Sequence, residues 1–301
     1  MMNLSVAEAF SAYENARARL PSCRPSRAPA RNIRSLAEIS DAFDVFLLDA
    51  FGVLNIGDEA IPGTPERVRD LQAAGKRVLV VSNAASVPRD TLLAKYRRLG
   101  YEFDATDVLT SRMATSANLG DAPEITWGVM GLPGVPMDDF GPIQWHLLQD
   151  DPDAYDRAGG FLLIGSGDWS DHRQNLLEAS LNKWPRQVRV ANPDIVAPRE
   201  DGFSVEPGYF AHRIAQVTTT EPRFFGKPFM NIYDLVFAHL GPVDRSRVVM
   251  VGDSLHTDIL GAKSAGIASV LIAGYGFLAG HDAGAAIAQS GIVPDFIAER
   301  P

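Results

Sequence analysis

The sequence predicts a doubly wound parallel α/β protein that carries a second, inserted α/β domain. Short apolar runs alternate with longer amphipathic segments, a pattern typical of parallel strands covered by helices on both faces. The order of strand, polar loop and helix occurs near both ends of the chain, whereas the middle has strands of its own. The length of 301 residues also exceeds that of one ordinary domain.

The core elements follow from apolar runs and from the residues that begin and end helices. In the first predicted helix, Thr64 is a suitable N-cap, Pro65 fits the first position and Gly75 ends the segment. The predicted core elements are strands over 43–48, 77–81, 247–251 and 268–272, and helices over 64–74, 88–99 and 256–265. The predicted elements of the middle are strands over 125–130, 160–164 and 187–190, and a helix over 171–183.

These elements divide the chain into three parts. We expect an N-terminal segment over 1–34, in which a helix spans roughly the first 20 residues and a proline-rich linker follows over 21–29. The core domain should comprise 35–104 plus 219–301, and an inserted domain should occupy 105–218. Movement of the inserted domain would then need hinges near its two boundaries.

Composition excludes several classes of function. A formal net charge of −9 argues against binding to nucleic acid, whose phosphates attract basic surfaces. With Cys23 as the single cysteine, the sequence cannot form an intrachain disulfide or a thiolate zinc site, which favours a reducing cytoplasm. No apolar run approaches the ~20 residues that cross a bilayer, and the N-terminus lacks the apolar segment of a signal peptide.

Polar side chains follow the predicted core strands at the point where each strand ends. The carboxyl ends of parallel strands meet at one edge of an open sheet, where active sites form. An aspartate there can act as nucleophile and magnesium ligand, a lysine can neutralise phosphoryl charge, and further carboxylates can complete or orient the metal shell. The side chains concerned are Asp49, Ser82, Asn83, Lys227, Asp253 and Asp258.

Taken in order, these four loops resemble the four signature motifs of the haloacid dehalogenase superfamily. The position of the insertion, between Asn83 and Lys227, is similar to that of the branch with an α/β cap. The run 191–194 (Ala-Asn-Pro-Asp), Pro207-Gly208 and Gly226-Lys227-Pro228 resemble the subclass IIA phosphatases, including para-nitrophenyl phosphatase and phosphoglycolate phosphatase. The resemblance covers roughly residues 35 to 300.

The resemblance implies a phosphatase for a small phosphorylated metabolite, with Mg²⁺ as cofactor. Asp49 would attack phosphorus to give an aspartyl-phosphate, and Lys227 would be the second catalytic residue. It further implies substrate contacts from Ser82, Asn83, Asn192 and Asp194. The implied metal ligands are Asp49, the carbonyl of Phe51, Asp253 and Asp258. From the net charge and the lack of a long apolar run we expect no nucleic-acid or membrane partner, and a homodimer formed through the cap stays open.

One position departs from the family pattern. Phosphatases of this family usually carry an aspartate two residues after the nucleophile as general acid and base, and this chain has Phe51 there. Because such catalysis is worth ~10²–10⁴-fold, we expect slow turnover unless another group, with His256 and Glu59 as candidates, supplies the proton. Two alternatives follow: a weakened member that acts as a sensor of a phosphorylated ligand or partner protein, and a hydrolase for acyl phosphates.

Overall fold

The computed structural model describes residues 4–23, 28–120, 124–199 and 202–301. The strands, in chain order, are β1 (Arg31–Ile33), β2 (Val45–Leu48), β3 (Asn55–Ile56), β4 (Glu59–Ala60), β5 (Arg77–Ser82), β6 (Val108–Thr110), β7 (Thr126–Met130), β8 (Gln144–Leu147), β9 (Gly160–Leu163), β10 (Val188–Val190), β11 (Val196–Arg199), β12 (Gly202–Val205), β13 (Arg223–Phe224), β14 (Val248–Gly252), β15 (Ala268–Ile272) and β16 (Phe296–Ala298). The α-helices are α1 (Val6–Asn15), α2 (Thr64–Ala73), α3 (Arg89–Arg98), α4 (Ser111–Ser116), α5 (Pro152–Arg157), α6 (Asp171–Lys183), α7 (Pro207–Val217), α8 (Met230–Leu240), α9 (Leu260–Ala265) and α10 (Ala283–Ser290).

The core sheet has the strand order β1-β16-β15-β14-β2-β5-β6. Each of its neighbouring pairs is parallel. The central strands β2 and β14 are buried along their whole length, and separate apolar clusters form on the two faces of the sheet. Burial on both faces explains why these strands are continuous apolar runs rather than alternating ones. The predicted fold class is confirmed.

The inserted domain is built on a second parallel sheet, in the order β13-β10-β9-β7-β8. An antiparallel hairpin, β11–β12, projects from it after β10. In the apolar core of the inserted domain, helices α5, α6 and α7 pack against this five-stranded sheet. The core domain has a small hairpin of its own, β3–β4, directly after β2.

The two sheets place the domain boundaries elsewhere than the sequence predicted. Strand β6 pairs with β5 in the core sheet, so the insertion begins after α4 and not at residue 105. Strand β13 pairs with β10, so the cap extends to Phe224 rather than to residue 218, and the expected hinge positions move with these boundaries. Strands of two or three residues carry too little periodicity to be assigned from sequence.

The N-terminal segment is also joined to the core more closely than predicted. Strand β1 pairs with β16 at the sheet edge, although residues 31–33 were assigned to the extension. Helix α1 begins in a capping box formed by Ser5 and Glu8, and its apolar face is buried. Residues 24–27 of the predicted linker lie outside the described residues. Within the described chain, none of the helices is long and apolar enough to span a bilayer.

Candidate active site

Three carboxylates meet at the carboxyl edge of the core sheet. Asp49 directly follows β2 and Asp253 directly follows β14, and these strands are neighbours in the sheet. The backbone N–H of Asp49 donates to the carbonyl of Val251 at 2.9 Å, which continues the strand pairing. One oxygen from each of Asp49, Asp253 and Asp258 lies within 4.8 Å of the others. The predicted grouping of these residues is therefore present.

Lys227 lies among these carboxylates. Its Nζ is 2.6 Å from Oδ1 of Asp49 and 2.7 Å from Oδ1 of Asp258. The lysine is 1% exposed, so the ion pairs replace its water. Burial opposes its charge, but Asp258 and Asp49 outweigh that effect and raise its pKa above the ordinary value. The lysine therefore stays positively charged and fixes the orientation of Asp49.

Asp258 is held on both of its oxygens. While Oδ1 binds Lys227, Oδ2 accepts the backbone N–H groups of Asp253 and Ser254, each at 3.1 Å. It lies on a π-helical turn, Leu255–Ile259, and is fully buried. A Cβ on Gly252 would stand 2.0 Å from the Asp258 Cγ, so glycine is needed there. These contacts suit Asp258 to orienting the loop more than to binding a metal directly.

Asp253 occupies a cradle formed by two glycines. Its Oδ2 accepts the backbone N–H of Phe277 at 2.6 Å. A Cβ on Gly52 or Gly276 would lie 2.5 Å or 2.0 Å from this carboxylate, and both glycines have positive φ, 77° and 76°. Any larger residue would displace the carboxylate and strain the backbone.

Electrostatics at this edge favours a bound cation. Burial raises the pKa of Asp49 to about 6, with Lys227 acting against the shift and Asp258 adding to it. Burial, together with Asp258 and Asp49, raises the pKa of Asp253 well above its usual range. A divalent cation would relieve the repulsion between the carboxylates. Oxygen ligands without a histidine or cysteine suit a hard ion such as Mg²⁺, so the donor set fits.

Asn83 connects the core, the lysine loop and the cap. Its Nδ2 donates to the Lys227 carbonyl at 2.9 Å and to Oδ1 of Asp194 at 2.8 Å, and its Oδ1 accepts the Lys227 N–H at 2.7 Å. The predicted substrate-binding amide is thus engaged in positioning other site residues. The hydroxyl of Ser82 accepts the N–H of Ala84 at 3.2 Å and lines the cavity.

The cap contributes the loop after β10. The Asp194 N–H donates to Oδ1 of Asn192 at 2.9 Å, which closes a tight turn, and Nδ2 of Asn192 donates to Glu206 at 3.1 Å. Both Asn192 and Asp194 line the same cavity as Asp49. Burial raises the pKa of Asp194 well above its usual range, with Lys227 opposing the shift. Burial therefore favours the protonated form of this carboxyl.

Phe51, which stands two residues after Asp49 in place of the aspartate usual in the resembled family, lines the cavity. The Lys95 Nζ lies 5.1 Å from the ring centroid and the Arg199 Cζ 4.8 Å from it, which suits cation–π contacts from core and cap. The structure places neither proposed substitute at the cavity. His256 is buried and hydrogen-bonded to Glu14 at 2.5 Å, and Glu59 is exposed on β4.

The cavity between the two domains has a volume of about 330 Å³. The sequence-based prediction missed several of its lining residues: Tyr13 from α1, Lys95 and Arg98 from α3, and Arg199 and Glu206 from the cap. No loop motif marks these positions. The only sequence signal for Tyr13 is the amphipathic pattern of α1, which predicts burial and not a place in the site.

Comparison with known families matches both halves of the core. Residues 46–135 match the family model described as haloacid dehalogenase-like hydrolase, and residues 224–299 match the one described as HAD-hydrolase-like. The two segments lie on either side of most of the inserted domain. They contain Asp49, Lys227 and Asp253.

Individual relatives agree with these matches. Human glycerol-3-phosphate phosphatase is 28% identical over 303 residues, which cover 89% of this chain and 92% of the relative. The 4-nitrophenylphosphatase of Schizosaccharomyces pombe is 24% identical, over 78% of this chain and 85% of its own length. A Cytophaga hutchinsonii protein described as a possible sugar phosphatase shares the fold, with a TM-score of 0.77, 24% identity and coverage of 90% and 98%.

Proposed function

The chain belongs to the haloacid dehalogenase-like hydrolases, and from this premise we propose that it is a magnesium-dependent phosphatase for a small phosphorylated metabolite. The observation that carries the proposal is the buried Lys227, whose Nζ bridges Asp49 and Asp258 beside Asp253. The phosphatases named among its relatives support the same reaction class.

The proposed reaction proceeds in two displacements at phosphorus. Lys227 holds Oδ1 of Asp49, which leaves the other oxygen to attack the phosphoryl group. A bond forms between that oxygen and phosphorus as the bond to the leaving oxygen breaks, and an aspartyl-phosphate results. Water then attacks this phosphorus and releases Asp49 with inorganic phosphate. Ser82 binds a phosphoryl oxygen, and Asn83 holds the lysine loop in place.

Asp49, Asp253 and the Phe51 carbonyl would hold the magnesium ion, and Asp258 would orient them through its hydrogen bonds to the backbone. When bound, the ion neutralises phosphoryl charge and favours in-line geometry. The two glycines that leave room for Asp253 support this assignment.

We further propose that the cap supplies the proton for the leaving group. Phe51 cannot donate one, whereas Asp194 lines the cavity, and the burial that raises its pKa favours its protonated form. Its Oδ1 accepts from Asn83, so the other oxygen can carry the proton toward the leaving alcohol. Once it has given up this proton, Asp194 is a carboxylate, and it regains a proton from the water that attacks the aspartyl-phosphate. Phe51 adds no second carboxylate for this step, so hydrolysis of the aspartyl-phosphate should be the slow step.

The decisive experiment is phosphate release from a panel of alkyl, aryl and acyl phosphates, with Mg²⁺ and with excess EDTA. We expect release that requires Mg²⁺ and a burst of leaving group before a slower steady state. Preference for acyl phosphates alone would favour the alternative substrate class. Absence of release from every compound would contradict the proposal and leave the sensor hypothesis, which Phe51 favours.

Two further predictions concern the setting of the protein. We propose that it acts in the cytoplasm, because its single cysteine suits a reducing compartment. The homodimer through the cap also stays a prediction. It is supported by Trp145 on β8, at one edge of the cap sheet, and by Trp184, which are 42% and 57% exposed.

A further inference from the structure

The N-terminal helix contacts both domains at once. Its buried side chains, including Phe10 and Tyr13, belong to one apolar cluster that also contains Ile195 from the cap and Leu255 and Phe277 from the core. A helix that only extended from the core would have no cap residue in its cluster. Helix α1 therefore lies across the boundary between the domains.

Tyr13 makes the central contacts of this arrangement. Its ring stacks on His256 with a centroid distance of 4.9 Å and an interplanar angle of 8°, and it meets Phe277 edge-on at 5.9 Å. Its hydroxyl accepts the backbone N–H of Ile195 at 3.0 Å. The side chain is 2% exposed, and it lines the same cavity as Asp49.

Two polar contacts reinforce the helix on either side of Tyr13. Glu14 binds Nε2 of His256 at 2.5 Å on the core side. Shortly after the helix, Nε of Arg19 donates to Nδ1 of His212 at 3.2 Å, on cap helix α7. Burial, with Arg19 beside it, lowers the pKa of His212 to about 4, so its imidazole is neutral and can accept this hydrogen bond.

The residue that Tyr13 holds follows directly after the loop of Asn192 and Asp194. Ile195 has its N–H on the Tyr13 hydroxyl, while Asp194 is bound from the other side by Asn83. The cap loop is therefore pinned between the core and α1. The hairpin that follows it also reaches the core, where Phe203 meets Phe277 at 5.6 Å.

We propose that α1 is a strap that holds the cap closed on the core, and that Tyr13 is a positioning and specificity-determining residue of the phosphatase site. Tyr13 fixes the loop of Asp194 and forms a wall that restricts the cavity to phosphate esters of small, compact alcohols. The specificity part of this inference rests on the proposed function, whereas the strap itself does not.

Hydrogen exchange at the Ile195 amide tests the strap without any assay of activity. Tyr13→Phe keeps the ring and removes the acceptor, so exchange of this amide should become about tenfold faster, the order expected for one lost hydrogen bond. Phe10→Leu is the matched control, because Phe10 also packs on His256 but carries no acceptor for the Ile195 N–H, which binds Tyr13. Equal exchange in wild type and Tyr13→Phe would overturn the strap.

Steady-state kinetics tests whether Tyr13 limits the size of the substrates that the cavity admits. Tyr13→Ala should raise kcat/KM for a bulky aryl phosphate relative to glycerol phosphate by about tenfold, and Tyr13→Leu by less, because each opens the cavity by a different volume. Phe10→Ala should leave that ratio unchanged while lowering Tm. In Tyr13→Phe, KM should rise while kcat stays within about threefold of the wild-type value. General destabilisation of the protein would not produce this split between KM and kcat.

The hydrogen-exchange experiment and the kinetic experiment together distinguish failure of this inference from failure of the proposed function. An unchanged substrate ratio in both Tyr13→Ala and Tyr13→Leu would overturn the specificity role. If the protein hydrolyses no ester, the phosphatase proposal and the wall fail together, and the Ile195 exchange still decides the strap. If Tyr13→Ala does not fold, Tyr13→Leu and Tyr13→Phe decide the question.

Discussion

The core and cap sides of the cavity are built in different ways. On the core side, Asp49, Asp253, Asp258 and Lys227 are buried or nearly so, and they are bound to one another or to neighbouring backbone. Two of them, Asp49 and Asp253, directly follow neighbouring strands of one parallel sheet. On the cap side, Asp194 lies on a loop that accepts a hydrogen bond from Asn83 and, at Ile195, donates one to the Tyr13 hydroxyl.

This difference separates the nucleophile and the metal site, which act on every ester, from the cap residues, whose effect depends on the leaving group. A charge cluster that is already packed and hydrogen-bonded needs little reorganisation in the transition state, which suits the core to electrostatic stabilisation. A loop held by a few contacts can be released and reformed, which suits the cap to admitting and selecting substrates. Substitutions on the core side should therefore affect every ester alike, and those on the cap side should discriminate between esters.

The largest effect is expected at Asp49. Asp49→Asn removes the anionic nucleophile, so turnover of every ester should fall on the order of 10⁴- to 10⁶-fold. The fold should persist because Lys227 keeps its 2.7 Å ion pair with Asp258. Asp44→Asn, at the opposite end of β2 and exposed, is the control and should retain activity. Wild-type rates in Asp49→Asn, measured by phosphate release, would place the nucleophile elsewhere.

A selective effect is expected on the cap side. Asp194→Asn removes the proposed acid, so hydrolysis of alkyl phosphates should slow by ~10²–10⁴-fold, whereas aryl phosphates with acidic leaving groups should slow far less. Glu206→Gln is the matched control, because Glu206 is another buried cap carboxyl at the cavity whose pKa is raised by burial. Equal loss for both classes of ester in single-turnover assays would contradict the assignment of Asp194.

A gain of function tests the missing base at Phe51. The cations of Lys95 and Arg199, which now face the ring, should keep a carboxylate at this position ionised and able to activate water. Phe51→Asp should therefore speed hydrolysis of the aspartyl-phosphate by up to ~10²-fold, measured as the steady-state rate after the burst. Phe51→Asn has a similar volume without the base, so a comparable gain in that variant would refute this explanation.

Loss of the ring also removes packing, and this cost is measurable. Truncation of a buried aromatic side chain costs roughly 3–5 kcal/mol, and Phe51 is partly buried. The expected destabilisation is therefore smaller than that range. Because both variants lose the ring equally, comparison of their Tm values separates packing from the effect of charge.

The smallest expected effect is the pH dependence of magnesium binding on the core side. The pKa of Asp49 is raised to about 6 in the folded protein. Protonation of Asp49 therefore stabilises the folded state fully below the pKa of the unfolded chain, and this stabilisation is lost as pH rises through 6. Magnesium and protons compete for this carboxylate. Below pH 6, affinity should therefore fall about tenfold per pH unit, which corresponds to a decrease of roughly 2–4 °C in the Tm gain from Mg²⁺.

Thermal unfolding with Mg²⁺ and with EDTA between pH 5 and 8 measures this dependence. Asp253→Asn is the informative variant, since it keeps an acceptor for the Phe277 N–H and removes one buried charge. It should raise Tm in EDTA and lose most of the gain from Mg²⁺. A gain from Mg²⁺ that does not change with pH would argue against a site built on Asp49.

Much of the core side could be predicted because its chemistry lies where strands end. Asp49 and Asp253 each follow an apolar run directly, and adjacent parallel strands bring such positions together without further information. The role of Asn83 was harder to predict. Its partners Asp194 and Lys227 are 111 and 144 residues away, and a substrate contact was expected where the structure has a link between domains.

The sequence by itself determined the fold class, the existence of a cap and the acidic edge of the core sheet, because periodicity and strand-end residues are local properties. Only the tertiary structure decided that β6 belongs to the core sheet and β13 to the cap sheet. It also decided that burial raises the pKa of Asp194 and that Tyr13 contacts a cap residue 182 positions away. Each of these depends on which distant surfaces exclude water from one another, and such contacts leave no pattern in a local stretch of sequence.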